Sequence, residues 1–160
     1  QRDFPSYGYL ADKKNNTLWE TWNGDGNDEG CGHCHPMFGS VVAWFYHSLA
    51  GIKPDQSDPG MKHFYIEPMI VPDLKYCRAT YDSQYGKISS DWKIDENGNL
   101  NIKIEVPANT SATVIIPDWG GRTVLESGKP VSEVSNIVID KVDSAWMEVS
   151  SGVYHFVILK

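Results

Sequence analysis

The chain has 160 residues, enough for one well-packed domain or for one domain with part of another. Acidic side chains number 21 against 14 basic ones, a net charge of -7, and no Lys/Arg cluster occurs, which argues against a nucleic-acid partner. No apolar stretch approaches the roughly 20 residues that span a bilayer, so no membrane anchor is expected, and residues 1–5 lack the basic and apolar regions of a signal peptide. Residues 4–52 read as helix, loop, helix. The first helix is short, around residues 7–13. The second, residues 36–50, is clearer, with His35 as N-cap, Pro36 at the first helical position, and Gly51 followed by Pro54 as its stop. Phe38, Val41, Val42, Phe45, Leu49 and Ile52 recur at helical spacing, and Met37 and Trp44 widen the stripe. A helix this apolar belongs between other helices. With only residues 7–13 as a helical neighbour, it is expected to pack on the following domain, to pair with another copy, or to be poorly ordered.

The polar stretch that starts at Lys53-Pro54 and ends at Pro59-Gly60 marks a domain boundary. It divides the chain into residues 1–53, a linker 54–60 and residues 61–160. Beyond the linker the pattern changes from helical to alternating. Strands are predicted at 62–71, 75–82, 86–94, 100–106, 112–117, 122–125, 134–139, 145–149 and 153–159, separated by turn signals such as Glu96-Asn97-Gly98 and Ser127-Gly128. Short strands without helices between them indicate an antiparallel β-sandwich, and with the preceding helices the class is α+β.

Cys31-Gly32-His33-Cys34-His35 satisfies the pattern for covalent haem attachment, but a haem also needs a distal ligand and an apolar pocket. A zinc site would lack a second ligand pair, since Cys77 stands alone in a strand-like segment. A Cys31–Cys34 disulfide and a loop with free thiols both remain open. Asp25, Asn27, Glu29 and Gly30 imitate the first half of a calcium loop, yet the position that requires Glu falls on Pro36. Neither a metal nor a cofactor is expected.

The run Thr17-Leu18-Trp19-Glu20-Thr21-Trp22 sets one carboxylate between two indoles, ahead of a Gly-containing loop, and His35 stands at the mouth of the following helix. Aromatic faces beside a carboxylate suit a sugar site, because apolar sugar faces stack on rings while an acid or base works at the glycosidic bond. A surface Glu between two core Trp residues is the plain alternative, as is a simple capping role for His35. In the β region Tyr81, Tyr85, Trp92 and Trp119 are candidates for a sugar platform or for core.

Several stretches, in order, resemble the last part of the catalytic domain of bacterial α-L-rhamnosidases, family 78 of the glycoside hydrolases. They are Ser6-Tyr7-Gly8-Tyr9, the Thr17-to-Trp22 run, His35-Pro36-Met37-Phe38-Gly39-Ser40-Val41-Val42 and Leu49-Ala50-Gly51-Ile52. Gly60-Met61-Lys62-His63-Phe64, Tyr81-Asp82-Ser83, Tyr85-Gly86-Lys87-Ile88 and Ile104-Glu105-Val106-Pro107-Ala108-Asn109-Thr110 resemble that family's C-terminal β domain. The resemblance covers most of the chain. It implies the terminal helices of an (α/α)6 toroid in residues 1–53 and a β-sandwich in residues 61–160, with hydrolysis of terminal α-L-rhamnose, with inversion, and without a cofactor. Glu20 falls at the position of the general base, His35 at that of a histidine contacting the bound rhamnose, and Trp22 beside them as a substrate-binding residue. The general acid of the family lies upstream, so the implied partners are a rhamnoside and upstream residues of a parent protein, and the isolated chain is expected to be inactive. Glu29-Gly30-Cys31-Gly32-His33-Cys34 departs from the family's shorter polar loop before His35. A non-catalytic carbohydrate-binding or structural β-sandwich module is the alternative from another class.

Overall fold

A computed structural model describes residues 3–13, 17–22, 32–116, 120–141 and 146–160. The chain divides into two compact units, Gln1–Trp44 and Phe45–Lys160. In the first, α1 (Tyr7–Asp12) starts at Ser6, whose hydroxyl accepts the Tyr9 N–H at 3.1 Å, and its Leu10 is buried. The segments around Leu18–Glu20 and Gly32–His35 then pair: the Glu20 N–H donates to the Gly32 carbonyl at 2.9 Å and the His35 N–H to the Leu18 carbonyl at 2.7 Å. A 3-10 turn, Pro36–Ser40, and the single α-helical turn α2 (Val41–Trp44) follow.

The second unit opens on a π-helical turn, Phe45–Leu49. Start and stop signals of the expected 36–50 helix are where the sequence places them, with His35 at the N-cap and Gly51 in the left-handed region at φ 75°. The interior is not a regular α-helix. Gly39 and Ser40, which end the 3-10 turn, are weak helix formers. At the far end the Ala50 N–H reaches back to the Phe45 carbonyl at 3.0 Å, and the carbonyls of Leu49 and Ala50 accept the Trp92 indole N–H at 2.7 Å and the Ser90 hydroxyl at 2.6 Å. Core side chains thus capture the helix end, and the wider turn follows. Met37, Val42, Trp44 and Phe45 remain exposed along this segment.

Among the described residues nine strands form one sheet: β1 (Ile52–Pro54), β2 (His63–Ile66), β3 (Tyr76–Ser83), β4 (Gly86–Ile94), β5 (Leu100–Ile115), β6 (Val124–Glu126), β7 (Lys129–Pro130), β8 (Ile137–Lys141) and β9 (Trp146–Ile158). The long strands β5 and β9 are its spine. They pair antiparallel from Leu100 opposite Ile158 to Val106 opposite Gly152, and again from Ser111 opposite Ser150 to Ile115 opposite Trp146. Between the two stretches residues 107–110 oppose residue 151, with Asn109 at φ 61° and the Thr110 hydroxyl donating to the Pro107 carbonyl at 2.7 Å. A bulge of this kind bends and twists a ribbon. On one side of it β4, β3, β6 and β7 complete the sheet; on the other, β1, β2 and β8 do. Ile88, Trp92, Ile102, Ile104 and Phe156 from the first half and Phe64, Ile66, Val114, Met147 and Val149 from the second belong to one buried core, so the halves act as the layers of a sandwich.

The sheet departs from the sequence reading at several points, among them β7 at Lys129–Pro130, which was not expected. Strands expected at 100–106 and 112–117, and at 145–149 and 153–159, are parts of two continuous strands, because Pro107 and the Ser151-Gly152 step, which resemble breaks, sit in the bulge. β2 runs parallel to β5, His63 opposite Ser111 and Ile66 opposite Val114, since the β3–β4 hairpin intervenes in the chain and returns it to the start of β5. β1, which was not expected, pairs with β2 from Ile52 opposite Ile66 to Pro54 opposite Phe64. Gly51 permits this turn: besides its φ of 75°, an added Cβ would stand 2.2 Å from the Glu67 carbonyl carbon and the Pro68 nitrogen.

Candidate functional site

The backbone ladder between Leu18–Glu20 and Gly32–His35 places the carboxylate and imidazole singled out in the sequence on one short scaffold. Glu20 is half-buried, and its Oε2 accepts the Gly32 N–H at 2.8 Å. A Cβ on Gly32 would stand 3.5 Å from Glu20 Oε2 and 4.0 Å from His35 Cδ2, so the carboxylate and the imidazole border the same space beside Gly32. His35 Nδ1 accepts the Met37 N–H at 3.4 Å. A neutral imidazole accepting at Nδ1 carries its proton on Nε2, so His35 offers one N–H donor beyond its capping bond. Cap and donor are therefore compatible, and the two readings of His35 do not compete.

The indoles are held by other rings. Trp22 stacks on Phe38 with centroids 4.2 Å apart at 30°, and meets Tyr7 edge-on at 5.3 Å and 81°. The Tyr7 hydroxyl donates to the Phe38 carbonyl, which ties α1 to the 3-10 turn. Phe38 thus covers one face of the Trp22 indole. Trp19 stacks on His33 at 4.5 Å and 14°. Gly32, Tyr7, Phe38 and His33 all shape this site and were not singled out for it from sequence. The signal available for them was the alternation that sets Trp19 and Glu20 against Gly32 and His33 once the two segments pair.

Asp25, Asn27, Asp28, Glu29, Gly30 and Cys31 lie outside the described residues, and with them the calcium-loop match and the Cys31–Cys34 disulfide. Cys34 is exposed with a free thiol. Among the described residues no three His, Cys, Asp or Glu side chains are arranged to hold a metal ion. Of the β-region aromatics, Trp92 is fully buried core and Tyr81 is 44% exposed, while Tyr85 is half-buried and Trp119 lies outside the described residues.

Comparison with known proteins bears on both units. The family model for the bacterial alpha-L-rhamnosidase 6 hairpin glycosidase domain matches residues 1–49, and that for the bacterial alpha-L-rhamnosidase C-terminal domain matches residues 51–130. The chain belongs to the bacterial α-L-rhamnosidase family. An α-L-rhamnosidase of Streptomyces avermitilis is 36% identical over 123 residues, 73% of this chain and 12% of the relative. One from Formosa agariphila is 27% identical over 96% of this chain and 17% of its own length. The solved α-L-rhamnosidase of Dictyoglumus thermophilum matches with a TM-score of 0.81 and 33% identity, over 100% of this chain and 18% of that one. The S. avermitilis α-L-rhamnosidase solved with L-rhamnose matches at 0.76 and 32%, over 99% of this chain and 15% of that one. The chain thus spans less than a fifth of each of these relatives. Its fold, α+β with a predominant sheet and few helices, is shared with solved α-L-rhamnosidases.

Proposed function

We propose that the chain is the C-terminal part of an inverting α-L-rhamnosidase and that Glu20 is its general base. In this reading Gln1–Trp44 belongs to the last helices of the toroidal catalytic domain, and Phe45–Lys160, with β1 at Ile52–Pro54, holds the accompanying β-sandwich. The observation that carries it is the shared space beside Gly32, bordered by the Glu20 carboxylate and the His35 ring. Inversion requires one carboxyl group to protonate the leaving oxygen while another deprotonates a water on the opposite face of the sugar. The Gly32 N–H fixes Glu20 Oε2, which orients the carboxylate and leaves Oε1 to take the proton of that water. His35 Nε2–H donates to a rhamnose hydroxyl, and the outer face of Trp22 covers the apolar side of the ring. A ring contact of that kind costs little rotamer entropy, since Phe38 and Tyr7 already hold the indole in place.

The general acid comes from outside these residues, so the 160-residue chain alone is expected to show no measurable hydrolysis of an aryl α-L-rhamnoside. In a longer protein that contains it, Glu20→Gln should lower kcat by about 10²–10⁴-fold with KM little changed, because the amide keeps the shape but cannot take the proton. Proton NMR of the first-formed product should show the β anomer. Robust turnover by the isolated chain, near-normal turnover by Glu20→Gln, or retention at the anomeric carbon would each overturn this assignment.

A further inference from the structure

The half of the sheet formed by β1, β2, β8 and the far ends of β5 and β9 has an outer face that the chemistry at Glu20 does not use. Phe64, Ile66, Val114 and Met147 point into the core, so alternation turns Tyr65, Thr113, Ile115, Trp146 and Glu148 the other way. Strand register sets Lys53, Tyr65, Thr113 and Glu148 in one row across β1, β2, β5 and β9, with Ile115 opposite Trp146 in the next row. An open groove of about 580 Å³ lies on this face, with Tyr65 and Trp146 among its walls and Ile115 on the strand between them. Lys53, Asp55, Gln56 and Glu67 also line it.

Polar side chains next to the groove cross-link the strands that carry it. Thr113 points away from the core yet is only 2% exposed. Its hydroxyl donates to Glu148 and lies 3.0 Å from His63 Nε2, while His63 Nδ1 lies 2.8 Å from the Ser111 hydroxyl. His63 also meets the Tyr65 ring edge-on at 5.6 Å and 82°. Three strands are therefore cross-linked beside the groove, and Tyr65 meets one of the linking side chains. The Asp55 carboxylate accepts the Ser57 N–H at 2.8 Å, which shapes the loop that bears Asp55 and Gln56. Such a site is preformed and asks little ordering entropy of a ligand.

Two aromatic walls with amide, ammonium and carboxylate groups around them match the two-sided chemistry of a sugar, whose ring faces are apolar and whose hydroxyls both give and accept hydrogen bonds. The charges choose among sugars. Lys53 is paired with Glu67 at 2.6 Å, which leaves Asp55 as the excess charge and disfavours an anionic ligand. We propose that this groove is a second carbohydrate site, sharing no residue with the Glu20 site, which holds a neutral stretch of a rhamnose-bearing oligosaccharide or polysaccharide. In naming a polymeric substrate class, the proposal rests on the rhamnosidase reading above.

Its test is binding by the 160-residue chain, which needs no turnover. Titration with a short neutral oligosaccharide ending in α-L-rhamnose, followed by amide and indole NMR, should perturb Tyr65, Gln56 and Trp146 and leave Glu20→Gln with the wild-type Kd. Trp146→Ala should weaken Kd about tenfold, and Gln56→Ala, at an exposed loop position whose loss leaves the thermal midpoint unchanged, severalfold. Absence of binding, perturbations elsewhere, a Kd unaffected by both variants, or tighter binding of an acidic oligosaccharide would each overturn it. Aryl α-L-rhamnoside hydrolysis by the longer protein separates the two readings: turnover without oligosaccharide binding to this chain removes only the second site, and binding without turnover removes only the Glu20 assignment.

Discussion

Phe45–Lys160 fills one core with Trp92, Phe64, Phe156 and the branched side chains around them, whereas among the described residues of Gln1–Trp44 only Leu10 is a buried hydrophobic side chain. The first unit is instead held by directional contacts: two backbone hydrogen bonds between Leu18–Glu20 and Gly32–His35, the Trp22–Phe38 and Trp19–His33 stacks, and the Tyr7 hydroxyl on the Phe38 carbonyl. Net hydrogen bonds contribute about 0.5–1.5 kcal/mol each and ring pairs about as much, while a buried core side chain contributes about 1.5–3 kcal/mol. Position and stability are therefore separate achievements in this chain. The sheet supplies stability by burial, and the segment bearing Glu20 achieves position with little burial of its own.

Substitutions in the core should have the largest effect. Trp92→Ala removes a fully buried indole and leaves the Leu49 carbonyl without its donor, so urea unfolding of the sheet should lose about 3–5 kcal/mol. That is a large part of the stability of an ordinary domain, about 5–15 kcal/mol. Trp22→Ala, in the first unit, should move the same transition by less than about 1 kcal/mol, because the rings it meets, Tyr7 and Phe38, belong to the first unit. Equal losses for the two substitutions would remove the contrast.

Next comes the junction at Gly51. Gly51→Ala combines a left-handed backbone with a Cβ against Glu67 and Pro68, and should cost about 2–3 kcal/mol in the same assay. A loss below about 0.5 kcal/mol would mean that the β1–β2 pairing adapts freely and that the turn is not a rigid start to the second unit.

Limited proteolysis sharpens the boundary. The sequence places it in the linker 54–60, yet Ile52–Pro54 is a strand of the sheet and the helical turn Phe45–Leu49 is fastened to Ser90 and Trp92 through the carbonyls of Ala50 and Leu49. The resistant β fragment should therefore begin near Phe45, and a cut within residues 55–60 should leave the two pieces associated through β1 and β2. A resistant fragment that begins after Gly60 and has lost β1 would place the boundary back in the linker.

Fold class and most strand positions were legible because alternation reports burial directly: β4, Gly86–Ile94, coincides with its expected limits since Ile88, Ser90 and Trp92 face inward in strict alternation. Continuity was not legible. Pro107 and Gly152 carry the usual marks of a strand end, and only the pairing of β5 with β9 across the bulge shows that both strands continue. Likewise Gly51 was readable as a helix stop, but its second duty, close approach to Glu67 and Pro68, depends on a strand that comes later in the chain. At the site, residue types pointed to Glu20, Trp22 and His35, while the Gly32 N–H that orients Glu20 is a backbone group and leaves no signature in composition.

The smallest expected effect is the dependence of the sheet's stability on acid, which separates into two steps with different causes. Burial, and then the nearby Lys103 and Lys93, hold His155 below its ordinary value of 6.5, so the unfolded chain takes up this proton more readily than the folded one. The sheet is thus most stable above 6.5, and stability declines as pH falls through that value toward the folded one. Asp95 is depressed as well. In the β4–β5 loop its carboxylate accepts the Asn99 and Asn97 N–H groups, both at 2.9 Å, and the Asn99 side chain, which together hold it below 3.8. Its contribution is whole above 3.8 and is lost as pH falls further. Urea midpoints measured within about a unit either side of 6.5 should slope downward toward acid in the wild-type chain and flatten in His155→Gln, while Asp95→Asn should leave that slope intact and only reduce the lower step, to which Asp55, held down by the Ser57 hydroxyl and N–H, also contributes. A His155→Gln chain that keeps the upper slope would trace it to another group and remove burial of His155 as its cause.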